Sequence, residues 1–303
     1  MDQEKIKLWV SGISIICVGV IGCIGNIFTL YIVCTNHLKK HLFYQLIFCL
    51  ACFDTITIFS FGIEKLLEVF AECVLTKFHE YLCAVFKTFG LIGSIYMTVA
   101  ISLERYLGIC HENSRFGRRL LIYIIPVLLL TSALCVPDVV DLFQFFENGT
   151  VILDKEFADL EGEDWIFFEA LGIRMIIPTI LIVVLNGAIF LRIREARLLL
   201  NIKMPEHQQR RSQTVRILFL IVFVFILCSV IPRLAFRIMF KYAKDMKEWM
   251  KPFTNLLIIV NSSVNIFIYC YVGTDFRRNS IETIKRSIST TTFNLSSTDS
   301  NKN

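Results

Sequence analysis

The chain has 303 residues, of which 55% are hydrophobic, 27 are Phe and 19% carry charge. So little charge cannot water the surface of an ordinary soluble domain, which leaves a membrane protein. The formal charge of +5 gains meaning only from the loops that hold it, and no nucleic-acid partner is expected.

A bilayer-spanning helix needs about 20 mostly apolar residues. Seven segments meet that, at 9–34, 42–63, 86–110, 120–140, 170–191, 215–239 and 253–273. The sequence therefore predicts an all-α, seven-transmembrane helix bundle with one helical domain over 9–278. The first run is too long for a cleaved signal and lacks a small-residue cleavage site, so it reads as a retained anchor. Residues 1–8 are too few for a folded ectodomain. Residues 279–303 are rich in Ser and Thr and read as a disordered cytoplasmic tail open to phosphorylation.

Loop charge sets the orientation. Lys39 and Lys40, Arg115, Arg118 and Arg119, the basic run from Arg192 to Arg216, and Arg277, Arg278, Lys285 and Arg286 mark one side. That side is cytoplasmic, which puts the N-terminus outside. The opposite segment 138–169 agrees, being rich in Asp and Glu against a single Lys155, whereas Lys241, Lys244, Lys247 and Lys251 in the last outer loop dissent. Asn148-Gly149-Thr150 is a glycosylation acceptor in the acidic loop. Of eleven cysteines, most lie inside apolar runs and read as small buried hydrophobes; Cys73 and Cys83 fall in a loop or at a helix end.

Polar groups inside the spans are expensive and each asks for a partner or a role. Asn26, Asp54, Ser94, Asn261, Ser262 and Asn265 come from four different spans. A carboxylate ringed by hydroxyls and amides suits a small monovalent cation, and equally suits a structural hydrogen-bonded cluster that only satisfies Asp54. The third span, within GLIGSIYMTVAISLERYLGICH at 90–111, closes on Glu104, Arg105 and Tyr106. An ion pair that ends an apolar helix points to a switch rather than a staple. Near the other face, Glu64, Glu68, Lys87, Arg174, Arg233 and Arg237 are candidate ligand-pocket residues, with mutual neutralisation as the plain alternative. No pattern for a nucleophile, base or metal centre stands out, and no inverted repeat of a transporter is visible.

These motifs resemble the rhodopsin-type (class A) G-protein-coupled receptors in order and spacing over nearly the whole chain. Asn26, Asp54, Ser94 and the Asn261-Ser262-x-x-Asn265 pattern match the family's polar core. Glu104, Arg105 and Tyr106 match its third-helix switch, Pro178 and Pro232 its fifth- and sixth-helix prolines, and NIFIY its seventh-helix motif ending at Tyr269. Phe276, Arg277 and Arg278 look like the start of a short amphipathic eighth helix. LNGAIF, CSVIPR and NSSVNIFIYCYVG are most similar to invertebrate FMRFamide-type neuropeptide receptors.

The resemblance implies a multi-pass plasma-membrane receptor that is not an enzyme. It implies a short extracellular peptide as ligand, a heterotrimeric G protein at Glu104, Arg105, Tyr106 and Tyr269, an allosteric sodium ion at Asp54, and arrestin and a receptor kinase at the Ser/Thr tail. Departures are Val230 and Ile266 where the family has Trp and Pro, and Asn186 where many members have Tyr. The usual disulfide also has no counterpart, since 138–169 lacks Cys and Glu80 stands at the third-helix position, which leaves Cys73 with Cys83 as the alternative pairing. These departures keep open a receptor-fold decoy or scaffold without G-protein output and, further off, a transporter.

Overall fold

Where lipid surrounds a chain, every backbone N–H and C=O must be satisfied within its own segment, and a continuous apolar run answers that as a helix. In the computed structural model, residues 3–70, 74–111, 119–148, 169–199, 206–235 and 247–300 are described. They form α1 (Gln3–Thr35), α2 (Leu42–Phe70), α3 (Val74–Cys110), α4 (Leu120–Leu134), α5 (Val136–Asn148), α6 (Ile177–Leu199), α7 (Glu206–Phe225), α8 (Lys247–Val272) and α9 (Thr274–Ser300). No strand occurs among the described residues. Six of the helices are long and apolar enough to cross a membrane, and the pair α4 and α5 supplies a seventh span, bent by 41°.

The bends have local causes. Pro137 lacks the N–H that would continue α4 into α5, so the fourth span breaks at Cys135. Wide π-helical turns cover Glu169–Ile176 and Ile226–Val230. Each lies just ahead of a proline, Pro178 or Pro232, where the ring would otherwise strike the carbonyl four residues back.

Two stretches differ from the sequence expectation. Asp138 and Asp141, counted above as loop residues, belong to α5. The short eighth helix and disordered tail meet a single 27-residue helix, α9. An Arg278–Glu282 pair at 3.0 Å spans one turn of it, and the hydroxyls of Ser280, Thr283 and Ser289 donate to the carbonyls four residues back. Bonded this way, Ser and Thr are accommodated within the helix at a small cost. The start of α9 is tied to the bundle: Phe276 is fully buried, and Asn36 at the end of α1 donates to Thr283 at 3.0 Å.

α3 runs through the centre, touching α2, α4, α5, α6 and α7. A large apolar cluster around Leu46, Leu50, Met97, Ile101, Ile182, Leu218 and Tyr269 fills one half of the bundle. A smaller one, of Ile15, Ile58, Phe61, Ile258 and Ile259, fills the other side of α1, α2 and α8. Along those three helices the clusters meet at Asn26, Asp54 and Ser262. The outside is apolar too, with Ile24, Phe59, Leu129, Val184, Leu191 and Phe223 exposed. A belt of this kind suits lipid rather than water.

The close approach of α2 and α3 rests on Gly90, where an added Cβ would lie 2.8 Å from the Thr57 nitrogen and 3.0 Å from the Phe53 oxygen, both backbone atoms. Gly62 has nothing within 4 Å. Gly90→Ala is therefore expected to destabilise the bundle by about 1–3 kcal/mol, while Gly62→Ala stabilises it by roughly 0.5–1 kcal/mol. Thermal unfolding of the two variants in detergent checks this, and equal midpoints would contradict it.

Candidate functional site

The polar layer is built from the middle of four helices. Asp54 on α2 is fully buried. The Ser94 hydroxyl of α3 donates to its Oδ1 at 2.7 Å, and the Asn265 amide of α8 donates to its Oδ2 at 2.7 Å. The Ser262 hydroxyl faces the same carboxylate. Asn26 of α1 closes the ring by donating to the Ser262 backbone carbonyl at 3.1 Å. Asn261 is half-buried and makes no hydrogen bond to this cluster among the described residues. It is turned about 100° from Ser262 around the helix.

At one end of α3 the Arg105 guanidinium pairs with its neighbour Glu104, the Nη2 to Oε1 bond being 2.8 Å. Both side chains are largely shielded, at 17% and 12% exposure. Arg105 also lies 4.3 Å from the centroid of the Phe43 ring on α2, a cation–π contact that holds it inward. Tyr106 sets its ring edge-on to His111. Tyr269 of α8 is buried against Phe276, ring centroids 5.6 Å apart. In this half the Tyr269 hydroxyl and Asn186 Oδ1 are buried without a hydrogen-bond partner among the described residues, and toward the other end so is Ser229 Oγ within the wide turn that follows α7. The Asn186 amide itself donates to Ser102 of α3 at 3.1 Å.

The other end is held by charge. Lys87 of α3 donates to both oxygens of Glu64 on α2, at 3.0 and 3.2 Å. Across the bundle, Thr88 donates to Asp138 of α5 at 3.3 Å, and Arg174 lies 3.8 Å from the same carboxylate. Arg174 also donates to the Leu134 carbonyl at the break in the fourth span, at 2.7 Å. Tyr96 donates to the Ile173 carbonyl at 2.7 Å. The candidate pocket charges Glu64, Lys87 and Arg174 are thus engaged with the bundle itself. Arg233 is half-buried beside Pro232, and the side chains of Glu68 and Arg237 lie outside the described residues.

The family model of the 7 transmembrane receptor (rhodopsin family) matches residues 25–269. The chain belongs to that family. It is 26% identical to the FMRFamide receptor of Drosophila melanogaster over 92% of this chain and 54% of that protein. It is 29% identical to the C-X-C chemokine receptor type 4-B of Xenopus laevis over 48% of this chain and 41% of that protein. The chain spans about half the length of these relatives. As a rhodopsin-family receptor with several apolar spans, it is a multi-pass protein of the plasma membrane.

Within this receptor, the polar-layer residues other than Asn261 come together, and Glu104 with Arg105 forms a pair. Cys83 is a buried free thiol. It stands one turn before Lys87 on α3, so it faces α2 rather than a loop, while Cys73 lies outside the described residues. Asn148 ends α5, and the rest of its acceptor sequence lies outside them as well. Sequence reasoning missed the Asn186–Ser102 and Asn36–Thr283 bonds and the joining of Asp138 to Thr88 and Arg174. The signal for the last was present: Asp138 follows the break at Cys135 closely enough to point back into the bundle.

Because Ser94 and Asn265 share one acceptor, Ser94→Ala and Asn265→Ala are each expected to cost about 1–3 kcal/mol of stability. Most of that loss should vanish in an Asp54→Ala background. A double-mutant cycle on detergent-solubilised protein measures the coupling, and strictly additive losses would rule the shared acceptor out.

Proposed function

We propose that this receptor, with its N-terminus outside, binds a short extracellular peptide and activates a heterotrimeric G protein through a two-state rearrangement of the bundle. The observation that carries the reading is the run of α3, which joins Lys87 at the outer end, Ser94 in the polar layer and Arg105 at the cytoplasmic end in one helix. A ligand that competes for Glu64 or Lys87 acts on α3 directly. In the signalling state Arg105 leaves Glu104 and meets the G protein, with Tyr106 and Tyr269 beside it. The names of the relatives support a peptide ligand, and the acidic composition of 138–169 favours a cationic one by steering its approach. The family and the absence of a catalytic constellation in the sequence favour a receptor over an enzyme, and the Ser/Thr-rich C-terminal segment would take a receptor kinase and arrestin.

The polar layer also suits a sodium ion. Asp54, Ser94 and Ser262 offer a carboxylate and two hydroxyls, hard oxygen donors converging in a buried site, and these residues would hold it. When bound, such an ion would offset the Asp54 charge and favour the silent arrangement. Asp54→Ala should abolish any sodium dependence of agonist affinity, and an unchanged dependence removes the assignment.

Nucleotide exchange in membranes carrying the receptor, screened with short amidated peptides across the G-protein classes, tests the main reading. At least one peptide should raise exchange, and Arg105→Ala should lower that response about tenfold or more while peptide affinity stays within about threefold. A peptide that binds without output in any class would instead favour a decoy or scaffold. Val230 and Ile266, which stand in place of the family's Trp and Pro, support that second reading.

A further inference from the structure

Arg277-Arg278-Asn279-Ser280 opens α9 with two exposed guanidinium groups ahead of a serine, the pattern that acidic pockets of basic-directed protein kinases recognise. The serine is hidden, however. Ser280 is 5% exposed and Thr283 is 8% exposed, on the same side of the helix as Phe276, which is 0% exposed. Ser280 donates its hydroxyl to the Phe276 carbonyl at 2.9 Å. Arg278 precedes Ser280 by two residues and so points about 160° away from it around the helix. No kinase can hold Arg278 and reach Ser280 together while this turn is wound and seated.

We propose that Ser280 is a phosphorylation site for a basic-directed kinase, and that the seating of α9 on the bundle decides when it can be modified. The proposal rests on the cytoplasmic placement of α9 given above. Two contacts hold the seat: Phe276 under the Tyr269 ring and the Asn36–Thr283 bond to α1. When they open, the turn unwinds and Ser280 Oγ attacks the γ-phosphoryl group of a nucleoside triphosphate. The new P–Oγ bond replaces the bond to the β-phosphate oxygen, the nucleoside diphosphate leaves, and the hydroxyl proton passes to the kinase base. A phosphate carries close to two negative charges and cannot return to a face that held a buried hydroxyl beside Phe276. Modification therefore keeps α9 unseated and withdraws the ring on which Tyr269 rests. Transient local opening becomes a lasting change at the cytoplasmic end.

Ser289 provides an internal reference. It is exposed on the same helix, with Lys285 and Arg286 four and three residues before it, so the same kinase reads it without unseating the start of α9. The purified full chain in detergent is incubated with magnesium ATP and the catalytic subunit of protein kinase A, and phosphate at the two serines is followed by mass spectrometry. Detergent opens both faces to the kinase, so the outcome is independent of membrane orientation and of G-protein coupling. Ser280 should be modified about tenfold more slowly than Ser289. Asn36→Ala and Phe276→Ala should each raise the Ser280 rate severalfold and leave Ser289 unchanged. Replacing Arg277 and Arg278 with Ala should abolish Ser280 modification alone. After modification, backbone hydrogen exchange across 276–284 should rise. Equal rates at the two serines in the unaltered chain overturn the gate. No phosphate at Ser280 in the Asn36→Ala and Phe276→Ala proteins overturns the site.

Discussion

A carboxylate buried in a bundle surrounded by lipid is tolerated only where donors come to meet it, and Asp54 sets that condition for the rest of the chain. Its two oxygens take Ser94 from α3 and Asn265 from α8, and Asn26 of α1 reaches the adjoining backbone. Each helix advances about 1.5 Å and turns about 100° per residue. A slip of one residue in α2, α3 or α8 would therefore carry a donor out of reach. Apolar packing between the spans is comparatively forgiving of such slips, because lipid is as apolar as the helices. The polar layer fixes depth and rotation, and the clusters on either side of it fill in around that register.

The two ends of α3 answer different requirements. The Lys87 end is knitted to its neighbours by Glu64, Asp138 and Arg174, an arrangement that serves where no disulfide ties the third span to a loop. At the Arg105 end the ion pair is with the adjacent residue Glu104 on the same helix, and the guanidinium rests on the Phe43 ring of α2. Around it the Tyr269 hydroxyl and Asn186 Oδ1 are left without partners among the described residues. Buried polar atoms without partners among the described residues occur at both ends, Arg174 Nε and Thr254 Oγ1 at one and the Tyr269 hydroxyl and Asn186 Oδ1 at the other, while the donors around Asp54 in the middle are engaged.

Much of this was legible in the residues. Apolar run length located all seven spans, because the bilayer imposes one length on every crossing. The polar layer was legible because amides and a carboxylate in such runs are rare and costly. Asn261 makes no hydrogen bond to Asp54 among the described residues, since residue spacing along one helix does not say which of its side chains reaches an acceptor on another. The extent of α9 was not expected because a Ser/Thr-rich composition reads as disordered, and composition does not show that the hydroxyls of Ser280, Thr283 and Ser289 fold back along a helix. The Asn186 bond to Ser102 was not legible because the sequence of one helix does not say which residue of a neighbour it meets, and the wide turns at 169–176 and 226–230 escape a periodicity that assumes an unbroken α-helix.

The bond from Arg174 to the Leu134 carbonyl carries a consequence for how the chain is made. The fourth span is synthesised and inserted before the fifth, and at that stage the cation that caps its break has not yet emerged. Pro137 sets the bend within the fourth span itself, but a buried carbonyl without a donor is costly, so the break is fully satisfied only once the fifth span lies beside it. The bend belongs to the fourth span and its capping to the pair, so the two spans settle together.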